Sequence, residues 1–336
     1  MRGLVLHRPL FRRARRHPLR RPLRTAPLTW RKVARGVAHD DARCPAAAPA
    51  AGLPDTRMDA HSHGFDAYAP REVAARVNEF CVVKAQLPLL PLAMLGVLAG
   101  AFIGLGAMMY TLVASDASLG FATQRLLGGL AFSLGLVLVT VAGAELFTGN
   151  NLLAMAWADG CVTTHQVLRN WSIVCATNFV GAAALALLVW LSGHAGLNGG
   201  AVGATVVRIA VAKAELGPIE AFVRGLLCNV LVCMAAWMAL AGRSVTDKAV
   251  AIVFPVTAFV AAGFEHSIAN MYLMPLAMLL GAPIDARDMV LNLVPVIAGN
   301  LFGGSVLVAL VYYVVYVRPG RRAVAAGAAG GTAASP

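Results

Sequence analysis

Charge is scarce in this chain: 13% of its residues are Asp, Glu, Lys or Arg, against roughly 25% in an ordinary soluble domain, while 59% are hydrophobic. That balance excludes a cytosolic globular protein and makes the bilayer the solvent. Catalytic motifs are missing too. No HExxH, GxSxG, P-loop or dinucleotide fingerprint occurs, and Glu265-His266 lacks the second histidine that a zinc helix requires. The six cysteines, Cys44, Cys81, Cys161, Cys175, Cys228 and Cys233, form no CxxC pair and no metal-ligand spacing with histidines. Neither a zinc site nor a disulfide framework is expected, and most of these thiols should act as small hydrophobes in or beside apolar runs. No catalytic residue, metal or cofactor is assigned.

Basic charge is lacking except at one end. Residues 1–57 hold thirteen arginines and Lys32 against three aspartates, a net +11, which leaves +1 of the total +12 for the other 279 residues. This stretch has almost no apolar periodicity and is expected to be disordered. Phe11 and Trp30 are its only large aromatics, too few for a nucleic-acid arm that stacks on bases. It contains no serine, which argues against an organellar transit peptide. Composition favours a third reading, in which Met58 is the natural start. No nucleic-acid partner is expected.

Residues 58–84 form an amphipathic, interfacial segment, with Val73, Val77, Phe80 and Cys81 at helical spacing and Pro70 in the first turn. A transport domain over 85–318 follows, and then a disordered tail over 319–336. Six spans are expected, at about Leu87 to Val113, Arg125 to Trp157, Asn170 to Leu191, Phe222 to Leu240, Val250 to Leu280 and Leu291 to Val317. The glycines crowded into the first, second and sixth read as close helix packing. With both termini inside, nine cations fall in the cytoplasm and five outside, namely Arg125, Arg208, Lys213, Arg224 and Arg287. Three of these outer cations surround the connection His194 to Arg224, which is either an anion vestibule or a solvated loop.

The apolar runs are interrupted by two polar knots. Glu145-Leu-Phe-Thr-Gly-Asn150 matches Glu265-His-Ser-Ile-Ala-Asn270, with glutamate and asparagine five positions apart in both. Downstream, Asn178-Phe-Val-Gly181 and Asn300-Leu-Phe-Gly303 lie 33 and 35 residues beyond the respective glutamates, so the chain is a diverged internal repeat. Three spans per half is an odd number, so the halves must be inverted. Ionisable groups are costly at mid-depth, and Gly263 and Pro275 flank the second knot, so two half-helices meeting at a break explain it better than one smooth span. The predicted class is an all-α integral membrane protein with six transmembrane helices, the second and fifth broken.

His266 is the only histidine placed within a span, and beside Glu265 and Ser267 it is a functional candidate. Glu145 and Glu265 read as either permeant-facing groups or structural acceptors for backbone N–H groups freed at the breaks, the second being favoured. Thr148, Gly149 and Asn150 offer donors that suit an anion or weak acid. A water or glycerol channel also uses paired half-helices, but neither knot contains Asn-Pro-Ala; a neutral-solute channel stays as the distant alternative.

AELFTGNN at 144–151, CNVLVCMAAWMALAGRSVTDKA at 228–249 and FVAAGFEHSIANMYLMP at 259–275 resemble the signature segments of the formate/nitrite transporter family. The resemblance covers about Phe65 to Arg318 and implies an aquaporin-like protomer with its own pore, assembled as a homopentamer in the bacterial inner membrane. It implies a small anion substrate, formate before nitrite or hydrosulfide. It maps His266 onto a central pore histidine, Thr148 onto the threonine of a flexible loop, Asn229 onto an asparagine facing the histidine, and Lys213 onto a basic vestibule residue. Phe132 and Phe259 resemble an outer constriction, and Leu136, Leu146 and Val232 an inner one. Glu145, Glu265, Asn150 and Asn270 support the breaks.

Overall fold

The computed structural model describes residues 66–321, and all regular structure within them is helical. The expected tail over 1–57, the start at Met58 and the tail beyond 321 lie outside the described residues.

The first half opens with α1, Pro70–Ala85, which has proline in its first turn and the Glu72 carboxylate accepting from the Ala69 N–H at 2.9 Å. It turns Val73, Ala74, Val77 and Cys81 inward, as the amphipathic pattern predicts. Burial pushes the Cys81 thiol up to about 12, so it stays protonated as a small hydrophobe. Three spans follow: α2 (Leu89–Ala114), α3 (Phe121–Ala142) and α5 (Thr164–Leu191). Between α3 and α5 lie a break, a 3-10 turn (Gly149–Leu152) and the short α4 (Leu153–Ala158).

The second half repeats the order. Helix α6 (Ala201–Ala214) leads into α7 (Pro218–Ala241), α8 (Val245–Ala262), a break, the half-helix α9 (Ser267–Leu279) and α10 (Ala286–Phe302). The last continues through π-helical turns at Gly303–Leu310 and Tyr313–Val317 to Arg321. Six helices among the described residues are long and apolar enough to cross a membrane. In each half the first span packs between its neighbours, α2 against α3 and α5, and α7 against α8 and α10. The halves meet through α3 on α8, and each half-helix packs against the last span of the opposite half, α4 on the π-helical part of α10 and α9 on α5.

The glycines of α2 do pack closely as expected, and Gly181 of α5 joins them: a Cβ at Gly100 would lie 2.7 Å from the Asn178 carbonyl carbon, and one at Gly181 equally close to that of Val97. Three expectations are corrected. The connection His194 to Arg224 is not merely a loop, because it contains α6, whose Val202, Val206 and Ala210 face inward at helical spacing. The sixth span does not stop before 319: Arg321 Nε pairs with the buried Asp159 at 2.5 Å and holds the helix to that point. The free thiols Cys81, Cys228 and Cys233 are buried as most of the cysteines were expected to be, whereas Cys161 is disulfide-bonded, where no disulfide was expected.

Candidate functional site

Each broken span ends on a glycine in the left-handed region, Gly143 at φ 83° after α3 and Gly263 at φ 75° after α8. Glycine adopts that conformation without the Cβ clash other residues meet, so it terminates the helix at full depth. The next residue reaches back: Ala144 N–H donates to Val139 O at 2.9 Å, and Phe264 N–H to Phe259 O at 3.0 Å. The glutamate N–H groups then cross to the neighbouring span, Glu145 to Leu95 O and Glu265 to Arg224 O, both at 3.2 Å.

The side chains at the two breaks form matching networks. Asn150 Nδ2 donates to Glu145 Oε2 at 2.7 Å and to Asn170 Oδ1 at 2.9 Å; Asn270 Nδ2 donates to Glu265 Oε2 at 2.7 Å and to Asn292 Oδ1 at 2.8 Å. A lysine from the last turn of the preceding amphipathic helix completes each: Lys84 pairs with Glu145 at 3.1 Å, and Lys213 with Glu265 at 2.7 Å. Asn170 donates to Lys84 O, and Asn292 to Lys213 O. Each carboxylate is thus held within the frame, but it does not accept freed backbone N–H groups as expected. Those donors go to asparagines, Phe147 N–H to Asn178 Oδ1 at 2.9 Å and Ser267 N–H to Asn300 Oδ1 at 3.0 Å, because each carboxylate is engaged by an ammonium and an amide. Asn178 and Asn300 each return two donor bonds, to Gly96 O and Glu145 O, and to Gly225 O and Glu265 O.

Sequence reading missed Lys84, Asn170 and Asn292 as members of this frame. A signal existed: Lys84-Ala-Gln-Leu-Pro88 matches Lys213-Ala-Glu-Leu-Gly-Pro218, with one glycine inserted, and marks α1 and α6 as one repeated element.

Within this symmetric frame the centre is asymmetric. The residue after each glutamate is Leu146 in one half and His266 in the other; two further on come Thr148 and Ile268. His266 Nε2 and Thr148 Oγ1 lie 3.1 Å apart, and both residues are buried. The Ala269 N–H donates to His266 Nδ1 at 3.2 Å, so that nitrogen is an acceptor and the proton of the neutral ring sits on Nε2, donated to Thr148. Asn229 comes close from α7: its Nδ2 donates to Thr148 O at 3.2 Å and to Asn300 O at 2.7 Å, while its buried Oδ1 has no partner. Cys233, one turn on, donates to Thr148 O at 3.3 Å and was not anticipated.

Apolar side chains flank the pair. Phe132 and Phe259 meet edge to face at 5.7 Å, and Phe259 stacks on His266 at 5.9 Å. Leu136, Leu146 and Val232 are buried in the same cluster. Lys213 is held by Glu265, the residue before His266, and its side chain is 14% exposed. Among the described residues no group of three His, Cys, Asp or Glu side chains is arranged to hold a metal ion.

Residues 71–314 match the formate/nitrite transporter family. The formate channel FocA of Escherichia coli K12 is 39% identical over 274 residues, covering 76% of this chain and 96% of that one. FocA of Haemophilus influenzae is 38% identical over 235 residues, covering 64% and 83%. Among solved structures, a pentameric formate channel with formate bound superimposes with a TM-score of 0.64 at 35% identity, covering 68% of this chain and 98% of that one. An FNT family ion channel gives 0.67 at 30% identity, covering 73% and 98%. With the paired breaks, six spans and a match over most of its length, this chain belongs to the formate/nitrite transporter family.

Proposed function

We propose that the protein carries small monovalent weak-acid anions, formate foremost, through a pore in each protomer of a homopentamer in the bacterial inner membrane, with both termini cytoplasmic. Nitrite, a planar anion with two oxygens as well, is the second substrate. The observation that carries this reading is the buried Thr148–His266 pair set beside apolar rings on one path.

Stripping water from an anion between apolar side chains costs several kcal/mol, whereas the neutral acid loses far less. The path therefore favours a substrate that gains a proton. Lys213 spends one of its three donors on Glu265 and keeps two to draw an anion inward. Thr148, whose carbonyl Asn229 holds, positions the carboxylate through its hydroxyl. His266 donates the proton only as imidazolium, and forming that cation breaks the Ala269 N–H bond to Nδ1. The ring stays neutral until an arriving anion stabilises the charge and a proton from the aqueous side is taken up on Nδ1; the ion pair then collapses to neutral acid and neutral ring, so each anion carries one proton from the side it left. Phe132, Phe259, Leu136, Leu146 and Val232 exclude the hydrated anion.

The test is formate flux in liposomes under an imposed pH gradient. Wild type moves formate with the gradient, and His266→Asn, which keeps hydrogen-bonding capacity but cannot titrate, loses the pH dependence while the oligomer persists. An asparagine variant with the wild-type pH profile would show the break to be a passive filter. Absence of formate and nitrite flux in wild type would remove the substrate assignment.

A further inference from the structure

One half-buried cation has no part in the mechanism above. Arg125 lies seven and eleven residues before Phe132 and Leu136, on the same face of α3. At 1.5 Å per residue it stands about 10 Å from Phe132 along the helix, on the side away from Leu136. Its surroundings are specific. Nη1 donates to the Tyr110 hydroxyl at 3.1 Å, which fixes the plane of the guanidinium, and the Tyr110 ring in turn fills the space a Cβ at Gly128 would take, 2.8 Å away. Nη2 lies against Gly263, where a Cβ would come within 2.7 Å of it. Nε is buried and has no hydrogen-bond partner.

Of the other outer cations Lys213 pairs with Glu265 and Arg224 with Glu220, but among the described residues no carboxylate pairs with Arg125. Nor does it cap the end of α8: the Val260 and Phe259 carbonyls are taken by the N–H groups of Gly263 and Phe264. An unpaired donor on a charged group away from water demands an acceptor. The N–H groups of Nε and Nη2 leave the same edge of the guanidinium in parallel, which is the side-on geometry that receives two carboxylate oxygens.

We infer that Arg125 is an anion subsite ahead of the Phe132–Phe259 constriction, binding the two oxygens of a small planar anion such as formate or nitrite through its Nε–Nη2 edge. The subsite rests on the transport reading above and adds a selectivity step to it: a two-oxygen anion is held in a fixed plane before dehydration, and an anion with one acceptor atom, such as hydrosulfide, is not.

The experiment is the concentration dependence of initial formate uptake into proteoliposomes, at fixed pH and ionic strength, for wild type, Arg125→Gln and Arg125→Lys. Loss of a charge-assisted bidentate contact raises the KM of Arg125→Gln roughly tenfold. Arg125→Lys keeps the charge without the fork and raises it about threefold. Vmax and the oligomer are retained in both. An unchanged KM, or a fall in Vmax at constant KM, shows a packing role and overturns the subsite. Should Arg125→Gln fail to assemble, Arg125→Lys decides alone by the same criterion. A wild type without formate flux overturns the transport reading and the subsite together; a transporting wild type with unshifted variants overturns the subsite only.

Discussion

Replacing Lys213 by methionine strands Glu265. The two side chains are 14% and 4% exposed and 2.7 Å apart, so water cannot take the place of the ammonium without opening the break. Removing one partner of such a buried pair costs roughly 3–5 kcal/mol, since the remaining charge stays desolvated. The Asn270 amide still donates to Glu265 Oε2 and offsets part of this, which places the expected loss near the lower end, about 3 kcal/mol. Adding Glu265→Gln removes the stranded charge and keeps an oxygen acceptor for Asn270, so the double variant should recover to within about 1 kcal/mol of wild type. Heat-induced dissociation of the detergent-solubilised oligomer reads the order: wild type, then the double variant, then Lys213→Met. Flux separates the second role of the lysine, because formate KM stays raised in the double variant even where stability returns. A Lys213→Met oligomer as robust as wild type, or a double variant no better than the single one, would refute the argument that the pair holds the break.

Two further outcomes follow from the centre and the caps. Thr148→Val removes the hydroxyl that accepts from His266 Nε2 at 3.1 Å; with the N–H left buried and unpaired, at about 1–3 kcal/mol, formate flux below saturation should fall by roughly tenfold or more with the oligomer intact, as measured in the same liposomes. Gly143→Ala and Gly263→Ala each incur about 1–2 kcal/mol for a left-handed Cβ, but nothing lies within 4 Å at Gly143 while Arg125 Nη2 lies 2.7 Å from the added atom at Gly263. Thermal stability should drop in both, and formate KM should shift only in Gly263→Ala.

The two breaks were legible because ionisable residues inside an apolar run contradict the bilayer, and because the second copy restated the first. Their partners were not. Lys84 and Lys213 read as loop or interface cations, since nothing in a linear pattern of charge says that a lysine will fold back onto a glutamate 61 or 52 residues later. Helix α6 was hidden for a similar reason: fourteen residues are too few to announce a span, and the apolar side chains of its inward stripe are Val202, Val206 and Ala210, beside Gly203 and Thr205. The constriction residues Leu136, Leu146 and Val232 are apolar residues in apolar helices, so only family likeness singled them out. Arg125 was visible as an outer cation, but its unpaired edge depends on Tyr110 and Gly263, which come from two other spans.

The single histidine in a doubled frame limits what the protein can do with a gradient. Position 146, the counterpart of His266, is leucine, and the lysines at the two breaks are held in ion pairs. The proposed path thus has one station that exchanges a proton with its cargo, and no second one in series. One proton accompanies one anion, the transported unit is neutral, and the membrane voltage does no work on it. Accumulation is then tied to acidity alone: each pH unit across the membrane supports about a tenfold ratio of anion, and flow reverses as soon as that ratio is exceeded.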